Sequence, residues 1–369
     1  MKVTFPHMGN TFIGAKVLME DLGNEVILPP KCSKKTLEIG TKHSPETICL
    51  PLKINIGNYV ESIEKGADTI LITGSCGPCR FGFYSLMEKE ILKDLGYDVD
   101  IIVFDPPDGR PMELLRRIMK AADTKNVYRI LRSIVRGGKI LEKVDNLIEY
   151  SNKIRAKAFN SFKVDTIIDN FYEEVRNVHG MEETSKLIKE TRTKLDNVKI
   201  DQNKKTLKVG IVGEIYTIIE PFANLYVERK LGHLGVEVDK ALKPSSWVKH
   251  HLLPGPFGSG EEKRKWKEAA PYLSTLVGGH GRETIGSSII YAKENYDGII
   301  QILPLTCMPE IVAESILPTI QKDYNIPIMT LIVDEMTGEA GYQTRLEAFV
   351  DLLWKRWEED NHEELLSGS

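Results

Sequence analysis

Cysteines carry the clearest chemical signal in this sequence. Cys76 and Cys79 form a C-x-x-C sequence that follows an apolar stretch and precedes a helical pattern, and Cys307 follows a second apolar stretch in the same way. Cys49 lies near the start of another predicted helix. Thiolates near helix N-termini can hold iron–sulfur clusters, whereas structural zinc is usually held by two local pairs. Because these cysteines come from three separated segments, the spacing favours an iron–sulfur cluster over zinc.

The C-x-x-C sequence also supports a different chemistry. The tetrapeptide Cys-Gly-Pro-Cys at 76–79 is the active-site sequence of thioredoxin-like proteins, which exchange thiols and disulfides. Such domains usually carry Trp before the motif, whereas Ser75 stands there in this chain. Exchange also does not require further cysteines in similar settings. Thiol–disulfide exchange at Cys76 and Cys79 is therefore kept as an alternative.

The chain has five cysteines, so a site with four thiolate ligands would leave one cysteine without a metal. Cys32 lies between Lys31 and Ser33, which predicts an exposed loop, so we expect Cys32 to be the cysteine that is not a ligand. Taken singly, Cys49 or Cys307 is as consistent with a small buried hydrophobic residue as with a ligand.

Candidate acid–base groups lie near two predicted helix starts. His280 and Glu283 belong to a glycine-rich turn at 278–283, where backbone N–H groups could hold an anion with Arg282. His280 could donate a proton near neutral pH. Glu310 follows Cys307 in the first turn of a helix, a position that the helix dipole alone favours for a carboxylate. We predict His280, Glu283 and Glu310 as catalytic residues, against the alternative of a plain loop and helix start.

Strand-like and helix-like stretches alternate at both ends of the chain and must position these groups. The strand candidates are 3–8, 25–30, 69–73 and 100–104, and then 207–212, 236–240, 298–305 and 327–333. Such alternation predicts parallel sheets, whose ligands bind at the carboxyl ends of the strands. His7 and Asn10 follow the first strand and would lie at that edge. The predicted fold class is α/β, with two flavodoxin-like or Rossmann-like parallel-sheet units and an intervening, mostly helical block.

The same patterns predict the domain organisation. An N-terminal α/β domain at 1–110 carries Cys49 and the C-x-x-C sequence, and a helical block with a linker occupies 111–205. A C-terminal α/β domain at 206–360 carries Cys307, and 361–369 is a frayed tail. Ser44-Pro45-Glu46 is expected to open the helix that contains Cys49, and Gly137-Gly138 to break a helix of the block. The last helix is expected at 341–357.

Composition and charge exclude several classes of protein. The chain has 369 residues, and 49 Lys and Arg against 53 Asp and Glu give a formal net charge of -4. This balance disfavours a dedicated nucleic-acid binder. No apolar run approaches the ~20 residues that cross a bilayer, and the N-terminal residues do not form a signal-peptide pattern. The sequence therefore predicts a cytoplasmic protein with neither a membrane nor a nucleic-acid partner.

Several longer motifs resemble one protein family. They are PHMGN at 6–10, SPETICLPLK at 44–53, GSCGPCRFGFY at 74–84, CMPEIVAESIL at 307–317 and DEMTGEAGYQTRLEAF at 334–349. Together they resemble the CoA-protein activase or 2-hydroxyglutaryl-CoA dehydratase-related proteins. The wider superfamily includes 2-hydroxyacyl-CoA dehydratase components and double-cubane cluster proteins.

The resemblance implies a cofactor and a partner. Proteins of this superfamily hold oxygen-sensitive iron–sulfur clusters between α/β domains, and they receive low-potential electrons from an actin-like-fold ATPase that is itself an Fe–S homodimer. Cys49, Cys76 or Cys79, and Cys307 match the order of the three dehydratase cysteines. The further cysteine of the C-x-x-C sequence departs from that pattern and would supply a fourth ligand. A [4Fe–4S] cluster is expected, with a double-cubane as the other possibility.

The implied function is ATP-coupled, low-potential reduction. The chain contains no G-x-x-x-x-G-K-[ST] loop, so ATP is expected to act only through the partner. The expected protein takes electrons from the activator and passes them to a small-molecule substrate, and a homodimer would fit the dimeric activator. Two alternatives stay open: a non-catalytic electron-transfer or assembly adaptor, and the thiol–disulfide oxidoreductase described above.

Overall fold

Apolar, β-branched runs form the strands of two separate parallel sheets. The computed structural model describes residues 1–74, 79–104, 111–122, 124–252 and 260–367. The first sheet has the strand order β2-β1-β3-β4. Its strands are β1 (Lys2–Thr4), β2 (Glu25–Val26), β3 (Thr69–Thr73) and β4 (Asp100–Phe104). β1 and β2 are shorter than predicted because prolines soon follow both strands at positions 6, 29 and 30, and proline cannot donate to the ladder.

The second sheet repeats this arrangement in the order β6-β5-β7-β8. Its strands are β5 (Leu207–Gly213), β6 (Val236–Lys240), β7 (Gly298–Pro304) and β8 (Ile328–Val333). Every residue of β7 is buried, as expected of a strand covered on both faces. The predicted α/β class with two parallel-sheet units is therefore confirmed. In both sheets the connections change direction beside the first strand, between β1 and β3 and between β5 and β7, and ligands of such folds bind at that point.

Helices connect the strands and fill the middle of the chain. In chain order they are α1 (Thr11–Leu22), α2 (Lys34–His43), α3 (Leu50–Glu64), a 3-10 helix (Arg80–Phe83), α4 (Tyr84–Asp94), α5 (Pro111–Ala121), α6 (Val127–Lys157), α7 (Ser161–Glu174), α8 (Gly180–Asp196), α9 (Ile215–Ile219), α10 (Val227–His233), α11 (Pro244–Leu252), α12 (Gly260–Ala269), α13 (Gly281–Lys293), α14 (Met308–Tyr324) and α15 (Glu339–Ser367). None of the described helices combines the length and apolar character needed to cross a bilayer.

The helical block shares a hydrophobic core with the first sheet unit through α1 and α6. The predicted break at Gly137-Gly138 is wrong, because α6 continues through both glycines. A Cβ atom at Gly137 would lie 2.9 Å from the carbonyl oxygen of Gly14 in α1. The glycine therefore allows two helices to cross closely and does not end one.

The helix that follows Cys49 begins later than predicted. Ser44 is the C-cap of α2, and the N–H of Ile48 donates to the carbonyl oxygen of Pro45 at 3.2 Å in an intervening turn. Cys49 itself is the N-cap of α3. A helix opened at Ser44 would place Pro51 in its interior, where the ring clashes with the preceding turn. Starting after Cys49 places Pro51 in the first turn, where proline is tolerated.

The last helix also differs from its prediction. The 361–369 segment was expected to fray, but α15 continues to Ser367. The sequence from Trp357 to Ser367 contains neither glycine nor proline, so nothing in its backbone chemistry stops the helix.

Candidate functional site

Chemically active side chains follow the central strands of both sheets. Cys79 follows β3, Glu214 comes directly after β5, and Cys307 follows β7. These are the strands at which the connections of each sheet change direction. The two sheets therefore present these groups from the positions where α/β proteins bind ligands.

Hydrogen bonds join the three segments that carry Cys49, Cys79 and Cys307. Nη2 of Arg80 donates to the carbonyl oxygen of Thr306 at 2.8 Å and to its hydroxyl oxygen at 2.9 Å. Nη1 of Arg80 and the hydroxyl of Thr306 both donate to the carbonyl oxygen of Thr47, each at 3.3 Å. Each of these residues lies one or two positions from a cysteine. The structure thus brings together three cysteine segments that are far apart in sequence.

Each of these cysteines stands at the start of a helix. Cys49 caps α3, Cys79 caps the 3-10 helix, and Cys307 caps α14. Thr306, directly before Cys307, has φ +69°, which is unusual for a β-branched residue and is a strained backbone conformation. Helix N-termini present free N–H groups and a positive dipole, so an anionic group at these sulfurs would be favoured.

Burial keeps the thiols protonated in the absence of a cation. The pKa of Cys49 is raised to about 11, chiefly by burial. Glu214 and Cys79 contribute in the same direction, while Tyr84 and Arg80 act in the opposite direction. The pKa values of Cys79 and Cys307 are also raised, by burial first and then by Glu214. A bound metal would displace these protons, because thiols bind metals as thiolates.

The sulfurs of Cys49, Cys79 and Cys307 do not form one close group of ligand atoms. In the described part of the chain, the His/Cys/Asp/Glu group whose ligand atoms all lie within 4.8 Å of one another is His7, Cys32 and Glu220. The sulfurs of Cys49, Cys79 and Cys307 are therefore not all that close. Tetrahedral zinc, with bonds of about 2.3 Å to sulfur, would hold its sulfurs at roughly 3.8 Å. A cluster of several irons spans a wider gap between its ligands. Cys76, the other predicted ligand, lies outside the described residues.

Tyr84 and Glu214 line this site and were not predicted from the sequence. The Tyr84 hydroxyl is hydrogen-bonded to the Cys49 sulfur. The carboxylate of Glu214 accepts the N–H groups of Tyr216 and Thr217, both at 2.9 Å, at the start of α9. Glu214 could have been suspected, because it occupies the same place after β5 that the Cys307 segment occupies after β7.

Glu310 lies beside the cysteines. It is fully buried, and burial raises its pKa to about 8, although hydrogen bonds from Gln301 and Thr284 oppose that shift. The Thr284 hydroxyl donates to its two oxygens at 3.1 and 3.0 Å. Glu310 also contributes to the raised pKa of Cys307. This carboxyl group therefore holds a proton at neutral pH next to a candidate ligand.

The glycine-rich turn also reaches the cysteines. Gly279 has φ +50°, and a Cβ atom there would lie 2.9 Å from Pro309 Cγ and 4.0 Å from the sulfur of Cys79. His280, the next residue, caps α13. Glu283 instead points toward α12, where it accepts the indole N–H of Trp266 at 2.7 Å. The structure therefore places the turn that precedes His280 next to Cys79, whereas Glu283 is hydrogen-bonded to Trp266.

The predicted exposure of Cys32 is wrong. Cys32 is buried and belongs to a hydrophobic cluster of the second sheet unit, because Tyr216 and neighbouring residues of that unit cover the loop. Its sulfur lies within 4.8 Å of ligand atoms of His7 and Glu220. His7 is also buried, and its Nδ1 is 2.8 Å from Glu220 Oε2.

Comparison with protein-family models and with curated proteins gives no match for this chain. The resemblance of the five motifs therefore stays a prediction. The features of the structure that bear on function are the cysteines, Glu214, Glu310 and the contacts that bring them together.

Proposed function

We propose that this chain is an iron–sulfur protein that holds a [4Fe–4S] cluster between its two sheet units. Cys49, Cys79 and Cys307 would be ligands, with Cys76 as the fourth. The observation that carries the proposal is the convergence of three helix-capping cysteines, held together by the bonds among Arg80, Thr306 and Thr47.

The residues present fit such a cluster. The donors are sulfurs, they are partly buried, and they come from both sheets. Helix N-termini behind Cys49 and Cys307 would balance the negative charge of a thiolate cluster. A bound cluster would supply one-electron transfer at low potential. Because the cysteine ligands come from both sheet units, cluster binding would also depend on the correct placement of the two units.

The chain's own groups set the electrostatics around the site. Glu214 adds negative charge next to all three described thiols, which opposes the addition of an electron there. Glu310 carries a proton at neutral pH, and it could release that proton to a neighbouring group when charge changes nearby. His280, in the turn beside Cys79, is the second candidate proton carrier. These roles support proton-coupled reduction of a small molecule.

The electron source and the setting follow from the motif resemblance. We propose that electrons come from a separate actin-like-fold ATPase, an Fe–S homodimer, and that ATP acts only through that partner. The substrate is a small molecule, and the chain acts in the cytoplasm. A homodimer of this chain would match the dimeric activator. Four thiolates leave no open iron, so four-cysteine ligation would favour an electron-transfer adaptor, and three would favour a dehydratase-like enzyme.

Iron and acid-labile sulfide per chain test this proposal. The full chain is produced and purified anaerobically with cluster-assembly capacity, and EPR spectra are recorded after dithionite reduction. We expect about four irons and four sulfides per chain, the content of one cubane, and a reduced-cluster signal. Cys49→Ala and Cys307→Ala should each lose most of the iron and the signal. Cys32→Ala is the matched control and should keep both.

Two results would overturn the proposal. One is wild-type protein without iron or sulfide under these conditions. The other is cluster content that survives in both Cys49→Ala and Cys307→Ala. Protein without iron that reduces disulfides, with activity lost in Cys76→Ser, would identify the thiol–disulfide oxidoreductase instead.

A further inference from the structure

A second group of potential ligands lies away from the three converging cysteines. His7, in the loop after β1, Cys32, in the loop before α2, and Glu220, after α9, place one ligand atom each within 4.8 Å of the others. The three residues are 8, 7 and 2 % exposed. Imidazole nitrogen, thiolate sulfur and carboxylate oxygen are the donor atoms of zinc sites. These three side chains can therefore supply three of the four ligands of a tetrahedral zinc ion.

Neighbouring groups hold each of these side chains in place. The amide oxygen of Asn58 accepts the backbone N–H of His7 at 3.3 Å and lies 3.6 Å from the Cys32 sulfur. The N–H of Gly9 donates to Glu220 Oε2 at 2.8 Å. Such partners orient metal ligands and are part of most metal sites. The positions of the three ligand atoms are thus fixed by the fold.

A cavity opens beside the group. Its volume is about 140 Å³, and its lining includes His7, Cys32 and Glu220 together with Phe12, Tyr172 and Tyr226. This space is large enough for several water molecules. Catalytic zinc sites have three protein ligands and an open position for water or substrate. The cavity provides room for that fourth ligand.

We propose that His7, Cys32 and Glu220 bind one Zn²⁺ ion, with its fourth position open to this cavity. Binding requires the thiol of Cys32 to release its proton to solvent. The hydrogen bond between His7 Nδ1 and Glu220 Oε2 is replaced by bonds to the ion, and any proton on the imidazole nitrogen that binds the ion moves to the other ring nitrogen or to solvent. One thiolate and one carboxylate then balance the charge of the ion, whereas an unpaired buried charge would be costly. The mixed donor set suits zinc, and neither hard cations nor soft Cu(I) would match it as well. This site is independent of the proposed iron–sulfur cluster.

Binding of Co²⁺, used as a spectroscopic substitute for Zn²⁺, tests the site. The full chain is stripped of metal in a Cys79→Ala/Cys307→Ala background, which removes sulfurs of the other site. We expect one equivalent of Co²⁺, a sulfur-to-cobalt charge-transfer band and the visible bands of a tetrahedral ion. Zn²⁺ should displace the Co²⁺ stoichiometrically.

The matched variant is Cys32→Ala in the same background. It should lose the charge-transfer band and weaken Zn²⁺ binding by about 100-fold or more, since changes even in the surrounding shell cost 10- to 100-fold. Glu220→Gln keeps the shape of the side chain but removes the carboxylate charge, and it should also weaken Zn²⁺ binding. Zn²⁺ should raise the melting temperature of the background protein but not of Cys32→Ala. The proposal is overturned if the background protein binds no stoichiometric Co²⁺, or if the band persists in Cys32→Ala; the His7–Glu220 pair would then only link the two units.

Discussion

Lys53 of α3 forms a buried ion pair with Glu335, which follows β8. The side chain of Lys53 is 2 % exposed and that of Glu335 is 22 % exposed. Lys53 also donates to the carbonyl oxygen of Glu46 at 3.0 Å. The pair joins the two sheet units close to the segment that carries Cys49. It therefore contributes to the placement of one half of the cysteine site against the other.

Glu335→Gln should destabilise the protein by about 2 kcal/mol or more, because it leaves the Lys53 ammonium buried without its counter-charge. Urea unfolding of the wild type and the variant measures this loss. Asp100→Asn is the matched control, since its partner Lys120 is 56 % exposed and Asp100 is 46 % exposed. Exposed pairs contribute about 0–1 kcal/mol, so equal effects of the two variants would contradict the interpretation.

Two adjacent glycines of α6 should respond in opposite directions to alanine. A Cβ at Gly137 would lie 2.9 Å from both the Gly14 carbonyl oxygen and Leu18 Cβ, so Gly137→Ala should cost about 1–3 kcal/mol. At Gly138 a Cβ would meet nothing within 4 Å, and alanine should stabilise the helix by up to about 1 kcal/mol. Thermal unfolding of both variants tests the pair. Similar shifts in the melting temperature would show that α1 and α6 do not cross closely at Gly137.

Local patterns in the sequence predicted the two sheets and the positions of two cysteines after their strands. A buried apolar run followed by cysteine is a local signal, and it placed Cys79 and Cys307 correctly at the ends of β3 and β7. The same reasoning missed the packing role of Gly137, because a glycine pair looks alike whether it breaks a helix or allows a close crossing. The difference depends on Gly14, which lies in another helix.

Non-local packing explains the remaining errors. The neighbours of Cys32 are Lys31 and Ser33, whose polarity predicts exposure, yet residues of the second sheet unit bury the thiol. Arg80 and Glu214 gain their roles only when the two sheets meet, so no pattern within either segment identifies them. The prediction was therefore best where the signal lay within one strand–helix unit and worst where contacts joined two units.

Glu310 should make the protein less stable as pH rises through neutrality. Burial raises its pKa from the ordinary 4.5 to about 8 in the folded chain. Between these values the folded state holds a proton that the unfolded state has lost, so the free energy of unfolding falls with increasing pH across that window. Glu310→Gln removes this titration. The variant should show a flatter dependence from pH 4.5 to 8 and a higher stability than the wild type at pH 8.

Glu88 is a second buried carboxyl group, and it controls for effects that are not specific to the neighbourhood of Cys307. It is also fully buried, with a pKa raised by burial to about 8 and a hydrogen bond from Asn55 at 3.2 Å. Glu88→Gln should flatten the stability profile in the same way. Only Glu310→Gln should also lower the pKa of Cys307, because Glu310 contributes to raising it. The pH dependence of Cys307 alkylation is compared between each variant and the wild type. An equal shift in both variants would show that Glu310 has no local effect on the pKa of Cys307.

Glu214 should suppress the reactivity of the site's thiols in the cluster-free protein. Its charge adds to burial in raising the pKa values of Cys49, Cys79 and Cys307. Glu214→Gln removes that charge, while the amide oxygen can still accept one of the two N–H groups at the start of α9. We expect iodoacetamide to modify Cys49 and Cys307 about three- to tenfold faster at pH 8, because a lower pKa increases the thiolate fraction and the thiolate is the nucleophile. Peptide mass spectrometry measures each rate. Glu283→Gln is the control, because Glu283 faces Trp266, and it should leave both rates unchanged. Equal acceleration in the two variants would mean that loosened packing, and not the charge of Glu214, controls these thiols.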